Sequence, residues 1–169
     1  MTESVAINKE AKLDEQYISL HNQILSLLNP DDNLVSNLSN FCAAIKQSID
    51  KISWVGFYFS DGEKLLLGPF QGKVACTNIK IGIGVCGKAA ELRETIIVPD
   101  VNKFSGHIFC DTDSKSEIVV PIIKEEKLIG VLDVDSSKFN SFDETDKIYL
   151  EKFCSYLSKN IFNNKNILF

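Results

Sequence analysis

Trp54-Val55-Gly56-Phe57-Tyr58-Phe59, closed by Ser60-Asp61-Gly62 and answered by Leu65-Leu66-Leu67, is the stretch from which the fold can be built outward. Its aromatic and β-branched run, the Asp-Gly turn and the second apolar run read as a β-hairpin. Side chains alternate across a strand, so Trp54 and Tyr58 share one face while Val55, Phe57 and Phe59 share the other. Downstream, the pattern predicts a strand around residues 74–81, a glycine-rich corner at Gly82 to Gly87 and a short helix near Lys88 to Arg93. The strand Ile96-Ile97-Val98 follows, stopped by Pro99, and then a polar loop from Asp100 to Lys115. Two more strands, Glu117 to Ile123 and Leu128 to Asp135, are joined by the tight turn Lys124-Glu125-Glu126.

Upstream, Leu13, Tyr17, Leu20, Ile24 and Leu27 recur at helical spacing between Ala11 and Leu28, and Asn29-Pro30 ends the run. Asp31 or Asp32 supplies N-terminal acid to a second helix burying Leu34 or Val35, Leu38, Phe41, Cys42, Ile45 and Ile49. Phe142-Asp143-Glu144 opens a terminal helix carrying Ile148, Leu150, Phe153, Tyr156, Leu157 and Ile161. Helices at both ends around strands joined by short turns predict an α+β domain. Its antiparallel sheet has five to six strands, with the N- and C-terminal helices packed on one face. Residues 1–169 form one domain: opening helices at about 11–50, sheet and pocket at about 52–136, terminal helix at about 143–162.

With 44% hydrophobic and 24% charged residues, 9 Gly and 4 Pro, the chain falls outside the collagen-like, disordered and low-complexity classes. The net charge of −5, with no Lys/Arg cluster, argues against nucleic acid and anionic membranes as partners. No apolar run approaches the roughly 20 residues of a membrane span. Met1-Thr2-Glu3-Ser4 lacks the start of a signal peptide, so a cytoplasmic protein is expected. Five cysteines in such a chain do not suggest a permanent disulfide framework.

Alternation on the last strand puts Asp133 and Asp135 opposite Leu132 and Val134, and Glu117 lies out of phase with Ile118, Val120 and Ile122. Three strands therefore pair an apolar face with one bearing Trp54, Tyr58, Glu117, Asp133 and Asp135. A solvated sheet face accounts for isolated acids. Acids together with two aromatics suit instead a half-enclosed pocket for a small cation or an ammonium-bearing ligand.

Cys42 and Cys154 sit on apolar helix stripes and read as core filler. Cys76 lies near a strand end, Cys86 at the start of a helix, where the thiol pKa is expected to fall, and Cys110 in a polar loop. A metal site from Cys76, Cys86, Cys110 and His107 lacks paired ligand spacing, His107-x-x-Cys110 aside; thiol redox chemistry is the other reading. Gly82-Ile83-Gly84-Val85-Cys86-Gly87 imitates a dinucleotide fingerprint. It lacks repeating βαβ units, and Asp100 is only 13 residues past Gly87, so the glycines read as a strand-to-helix corner.

Several blocks carry a resemblance: Gly68-Pro69-Phe70-Gln71-Gly72-Lys73-Val74-Ala75-Cys76, Gly84-Val85-Cys86-Gly87, Gly106-His107-Ile108-Phe109-Cys110-Asp111, Ser116-Glu117-Ile118-Val119-Val120-Pro121 and Gly130-Val131-Leu132-Asp133-Val134-Asp135-Ser136. With Trp54-Val55-Gly56-Phe57-Tyr58, they resemble the GAF-domain free methionine-(R)-sulfoxide reductases from about Trp54 to the terminal helix. The resemblance implies a GAF-like fold and a homodimer. It implies Cys110 as catalytic nucleophile, Cys86 as principal resolving thiol, Cys76 as a further disulfide-forming thiol, and Trp54, Tyr58, Glu117, Asp133 and Asp135 as the substrate pocket. Free methionine sulfoxide would be the substrate and thioredoxin the reductant, with no metal and no organic cofactor. Stereochemistry and the restriction to the free amino acid come from the resemblance alone.

The residues suit that chemistry. A thiolate attacking a sulfoxide sulfur needs the departing oxygen protonated, and clustered acids raise one another's pKa; Glu117 and Asp135 are the candidate donors. Remaining carboxylate charge suits an ammonium group, and the Trp54 ring suits an S-methyl group. A sulfenic acid on Cys110 would condense with Cys86, and a dithiol would reduce the resulting disulfide. The alternative is a non-catalytic GAF sensor for a small ligand or cyclic nucleotide; a thiol sensor without substrate is a third reading.

Overall fold

The structure is a computed structural model that describes residues 5–106 and 112–162. Two helices, α1 (Leu13–Leu27) and α2 (Leu34–Ser48), lead into strands β1 (Trp54–Ser60), β2 (Lys64–Gln71) and β3 (Asn78–Lys80). Helix α3 (Gly84–Leu92), β4 (Ile96–Val98), a 3-10 turn at Val101–Lys103, β5 (Ser116–Lys124), β6 (Lys127–Ser136) and α4 (Glu144–Asn160) complete the order. The sheet runs β3-β2-β1-β6-β5-β4 with every neighbouring pair antiparallel.

β1 and β6 lie at the centre, and the alternation of their side chains divides two cores. Val55, Phe57, Phe59, Ile118, Val120, Ile122, Leu132 and Val134 face α1, α2 and α4, where they meet Leu38, Phe41, Ile45, Leu150, Phe153 and Leu157. Trp54, Tyr58, Val119 and Val131 point the other way, toward Val85, Cys86, Ala89 and Ala90 of α3. The terminal helices thus share one face as the periodicity requires, and α3 roofs part of the opposite face. Cys42 and Cys154 lie in the first core, and burial raises both thiol pKa values. Among the described residues, no helix is long and apolar enough to cross a membrane.

Three local readings shift. Asp31 and Asp32 stand before the cap, so the first turn of α2 holds no acid; Asn33 caps the helix, its Oδ1 accepting from the backbone N–H groups of Val35 at 2.8 Å and Ser36 at 3.4 Å. β3 is three residues long, not eight, because residues 72–77 leave the sheet as a loop in which Val74 is exposed. Helix α3 begins at Gly84, before Lys88, because Gly82 (φ 87°) and Gly84 (φ 68°) make the turn and the chain is helical directly after it. That corner sits in an antiparallel sheet, so its glycines serve the turn into the helix, as the spacing suggested, and not a βαβ dinucleotide unit.

α4 is capped by Asp143, whose side chain accepts from the Thr145 and Asp146 N–H groups, while Asp146 accepts from the Asp143 N–H to close a capping box. Asp146 is fully buried and also accepts from Tyr17 Oη (2.8 Å) and Lys51 Nζ (2.6 Å), tying α1 and the approach to β1 onto α4.

Candidate active site

The strand register assembles the cluster. Trp54 pairs with Asp135, and Asp135 with Glu117; one step along, Gly56 pairs with Asp133, and Asp133 with Val119. Because same-face residues recur every second position, the two rows bring Trp54, Glu117, Asp133 and Asp135 to one side of three adjacent strands. Helix α3 lowers Cys86 onto them, its Sγ donating to Glu117 Oε1 at 3.8 Å. Glu117, Asp133 and Cys86 are almost fully buried, at 6%, 7% and 3% exposure.

Burial first, and then the neighbouring acids, push the Glu117 and Asp133 carboxyls well above the ordinary carboxylate range. Adjacent acids in a desolvated site cannot all ionise, so the cluster retains at least one proton where isolated carboxyls have lost theirs. Cys86 occupies the first turn of α3, where the helix N-terminus favours a thiolate. Burial and the charges of Asp133 and Glu117 outweigh that and raise its pKa well above the usual thiol value. The expectation of a thiol acidified by its helix position is therefore reversed: a terminal dipole is worth about 0.3–1 kcal/mol, less than desolvation beside two acids costs.

The aromatic residues build the adjoining wall. Trp54 stacks against Phe70 (ring centroids 5.4 Å) and Tyr58 (6.1 Å), and its Nε1 donates to the Lys73 carbonyl at 3.0 Å. Tyr58 Oη donates to the Cys76 carbonyl at 3.2 Å, so the polar tips of both aromatics hold the 72–77 loop. Burial, then Asp133, keeps the Tyr58 phenol protonated. Cys76 is disulfide-bonded, and Cys42, Cys86 and Cys154 are free thiols. Cys110 and His107 lie outside the described residues. The described residues after them reach the cluster through Ser114, whose Oγ donates to Asp135 Oδ1 at 2.6 Å, while Asp113 pairs with Lys73 of the 72–77 loop.

Two contributors escaped the sequence reading. Ser114 is buried and positions Asp135, and a lone serine in a polar loop carries no periodic signal. Gly56 faces the Trp54 ring: a Cβ there would stand 2.4 Å from Trp54 Cη2 and 2.5 Å from Phe70 Cβ. The signal for it was available, since a glycine inside an aromatic strand marks a close approach. Cys86, Glu117 and Asp133 also bring their donor atoms within 4.8 Å of one another, the grouping among the described residues able to hold a cation. The Cys86 thiol thus sits among carboxylates.

Residues 35–161 match the GAF domain family. The chain is 51% identical over 158 residues to GAF domain-containing protein A of Dictyostelium discoideum, covering 93% of this chain and 99% of that protein. It is 47% identical over 161 residues to the free methionine-R-sulfoxide reductase of Saccharomyces cerevisiae, covering 90% and 87%. The X-ray structure of free methionine-R-sulfoxide reductase from Neisseria meningitidis in complex with its substrate superposes with a TM-score of 0.89 at 38% identity, covering 94% of this chain and 95% of that one. The antiparallel sheet, its two cores and these relatives agree: the chain belongs to the GAF domain family, in the group that holds the free methionine-R-sulfoxide reductases.

Proposed function

We propose that the protein reduces free L-methionine (R)-sulfoxide to L-methionine with thiols, through a cysteine sulfenic acid and an intramolecular disulfide that thioredoxin reduces. The observation that carries this reading is the buried Glu117–Asp133 pair, its carboxyls raised above the ordinary range beside a tryptophan wall, in a chain 47% identical to a yeast enzyme of that name. Cys110 is the nucleophile. Its sulfur attacks the sulfoxide sulfur, a carboxyl of the cluster protonates the oxygen, and methionine leaves as the oxygen passes to Cys110 as sulfenic acid. A second thiol displaces that oxygen as water and forms a disulfide, which an external dithiol reopens.

Glu117 and Asp133, rather than the Glu117 and Asp135 expected from the sequence, serve as the proton source, because Asp133 is the more deeply buried of the two aspartates; Asp135, half-buried and oriented by Ser114, offers charge for the substrate ammonium. Trp54 supplies the apolar surface for the S-methyl group. The resemblance gave Cys86 the principal resolving role and Cys76 the further one. The free, deeply buried Cys86 and the disulfide-bonded Cys76 support the opposite order, with Cys76 resolving first. The working protein is taken as a cytoplasmic homodimer.

Incubating the purified protein with racemic free methionine sulfoxide and a dithiol should deplete the R epimer and leave S and peptide-bound sulfoxide untouched. No turnover, or equal turnover of peptide-bound substrate, contradicts the proposal. A GAF sensor would instead show thermal stabilisation by a small ligand or cyclic nucleotide that it does not consume.

A further inference from the structure

We propose that Cys86, Glu117 and Asp133 form a three-ligand site for a thiophilic divalent cation of the zinc class, which blocks the pocket when bound. The three side chains come from three elements, α3, β5 and β6, and their donor atoms all lie within 4.8 Å of one another. A tetrahedral zinc centre with Zn–S near 2.3 Å and Zn–O near 2.1 Å needs donor separations of about 3.4–3.6 Å. Cys86 Sγ and Glu117 Oε1 already stand at 3.8 Å, so closing the site takes side-chain movements of about 1 Å. An independent observation points the same way: Asp133 Oδ1 is buried with no hydrogen-bond partner. A buried carboxyl oxygen left without a hydrogen-bond partner costs free energy that a cation removes.

The donor set selects the ion. One thiolate and two carboxylates suit a borderline-soft cation, whereas magnesium and calcium take oxygen ligands alone. Three protein ligands also leave a fourth position open. Binding is an acid-base exchange without electron transfer: the cation takes the thiolate and carboxylate lone pairs, and the protons that Cys86 and the carboxyls carry pass to the buffer. That the bound ion excludes substrate rests on the reductase reading of the pocket; the site itself does not.

The test uses cobalt(II) as a spectroscopic probe on the full chain carrying Cys76→Ser and Cys110→Ser, reduced and then freed of reductant. A thiolate-to-cobalt charge-transfer band should appear with one ion per chain, and zinc, but not magnesium, should remove it. Adding Cys86→Ser should abolish the band. Asp133→Asn, which keeps the side-chain volume, should weaken cobalt binding beyond the roughly 10–100-fold that an outer-shell change costs. Absence of the band, its survival in Cys86→Ser, or unchanged affinity in Asp133→Asn would overturn the site. None of these readouts involves sulfoxide turnover, so metal-free activity decides the reductase reading separately.

Discussion

Glu117 joins the strand pattern to the chemistry. Its place on the Trp54 face follows from alternation along β5, and the burial that raises its pKa follows from α3 closing over that face. A carboxyl raised in this way is protonated below its shifted pKa and loses its proton above it, so sulfoxide reduction should decline as pH climbs through that value. Glu117→Gln should lower kcat/KM by roughly 10²–10⁴-fold, the usual worth of a general acid, and alter this alkaline limb. A variant with wild-type rate and an unchanged pH profile would remove Glu117 from proton delivery. At Gly56 the test is steric: Gly56→Ala should push the Trp54 ring from its seat, costing about 1–3 kcal/mol in denaturant unfolding and raising KM. Trp54, Tyr58 and the three acids were legible because period-two spacing needs no knowledge of the fold. Ser114 was not, and the protonation of Cys86 was misjudged because helix position is a local property while desolvation is set by packing.

Helices were easier to place than short strands. Asp143 stands directly before the apolar periodicity of α4, and it is the cap. Asp143→Ala should lower stability by about 1 kcal/mol. Asp146 completes the box while also bonding Tyr17 and Lys51, so Asp146→Ala should cost about 3–5 kcal/mol by leaving the partly buried Lys51 without its counter-charge. Urea midpoints of the two variants should separate in that order. Asn33 went unmarked because three candidate capping residues, Asp31, Asp32 and Asn33, stand in a row before α2 and cap about equally well. β3 shortened because Val74-Ala75-Cys76 has strand composition, yet Trp54 and Tyr58 hold that segment as a loop through its backbone carbonyls. Hydrogen bonds from two aromatic tips leave no trace in local propensity.

Across the whole molecule, the α+β class and the side on which the terminal helices pack were readable because β1, β5 and β6 separate apolar from polar faces. The roof formed by α3 was not, since its short apolar run points to no particular partner. That roof has a thermodynamic consequence. Glu117 and Asp133 have folded pKa values above their unfolded ones, so folding favours their protonated forms. Their contribution is complete below the unfolded carboxylate pKa, about 4, and is lost as pH rises toward the raised folded values. Thermal midpoints should therefore fall over that window, and Glu117→Gln should flatten the slope and unfold at higher temperature than wild type under alkaline conditions. A single-turnover experiment tests the chemistry most directly: fully reduced protein, free of reductant, is mixed with excess free methionine-(R)-sulfoxide and quenched for methionine and thiols. One methionine per chain should form as two thiols disappear, and Cys110→Ser should form none; methionine without thiol loss, or none from the wild-type protein, would contradict the account.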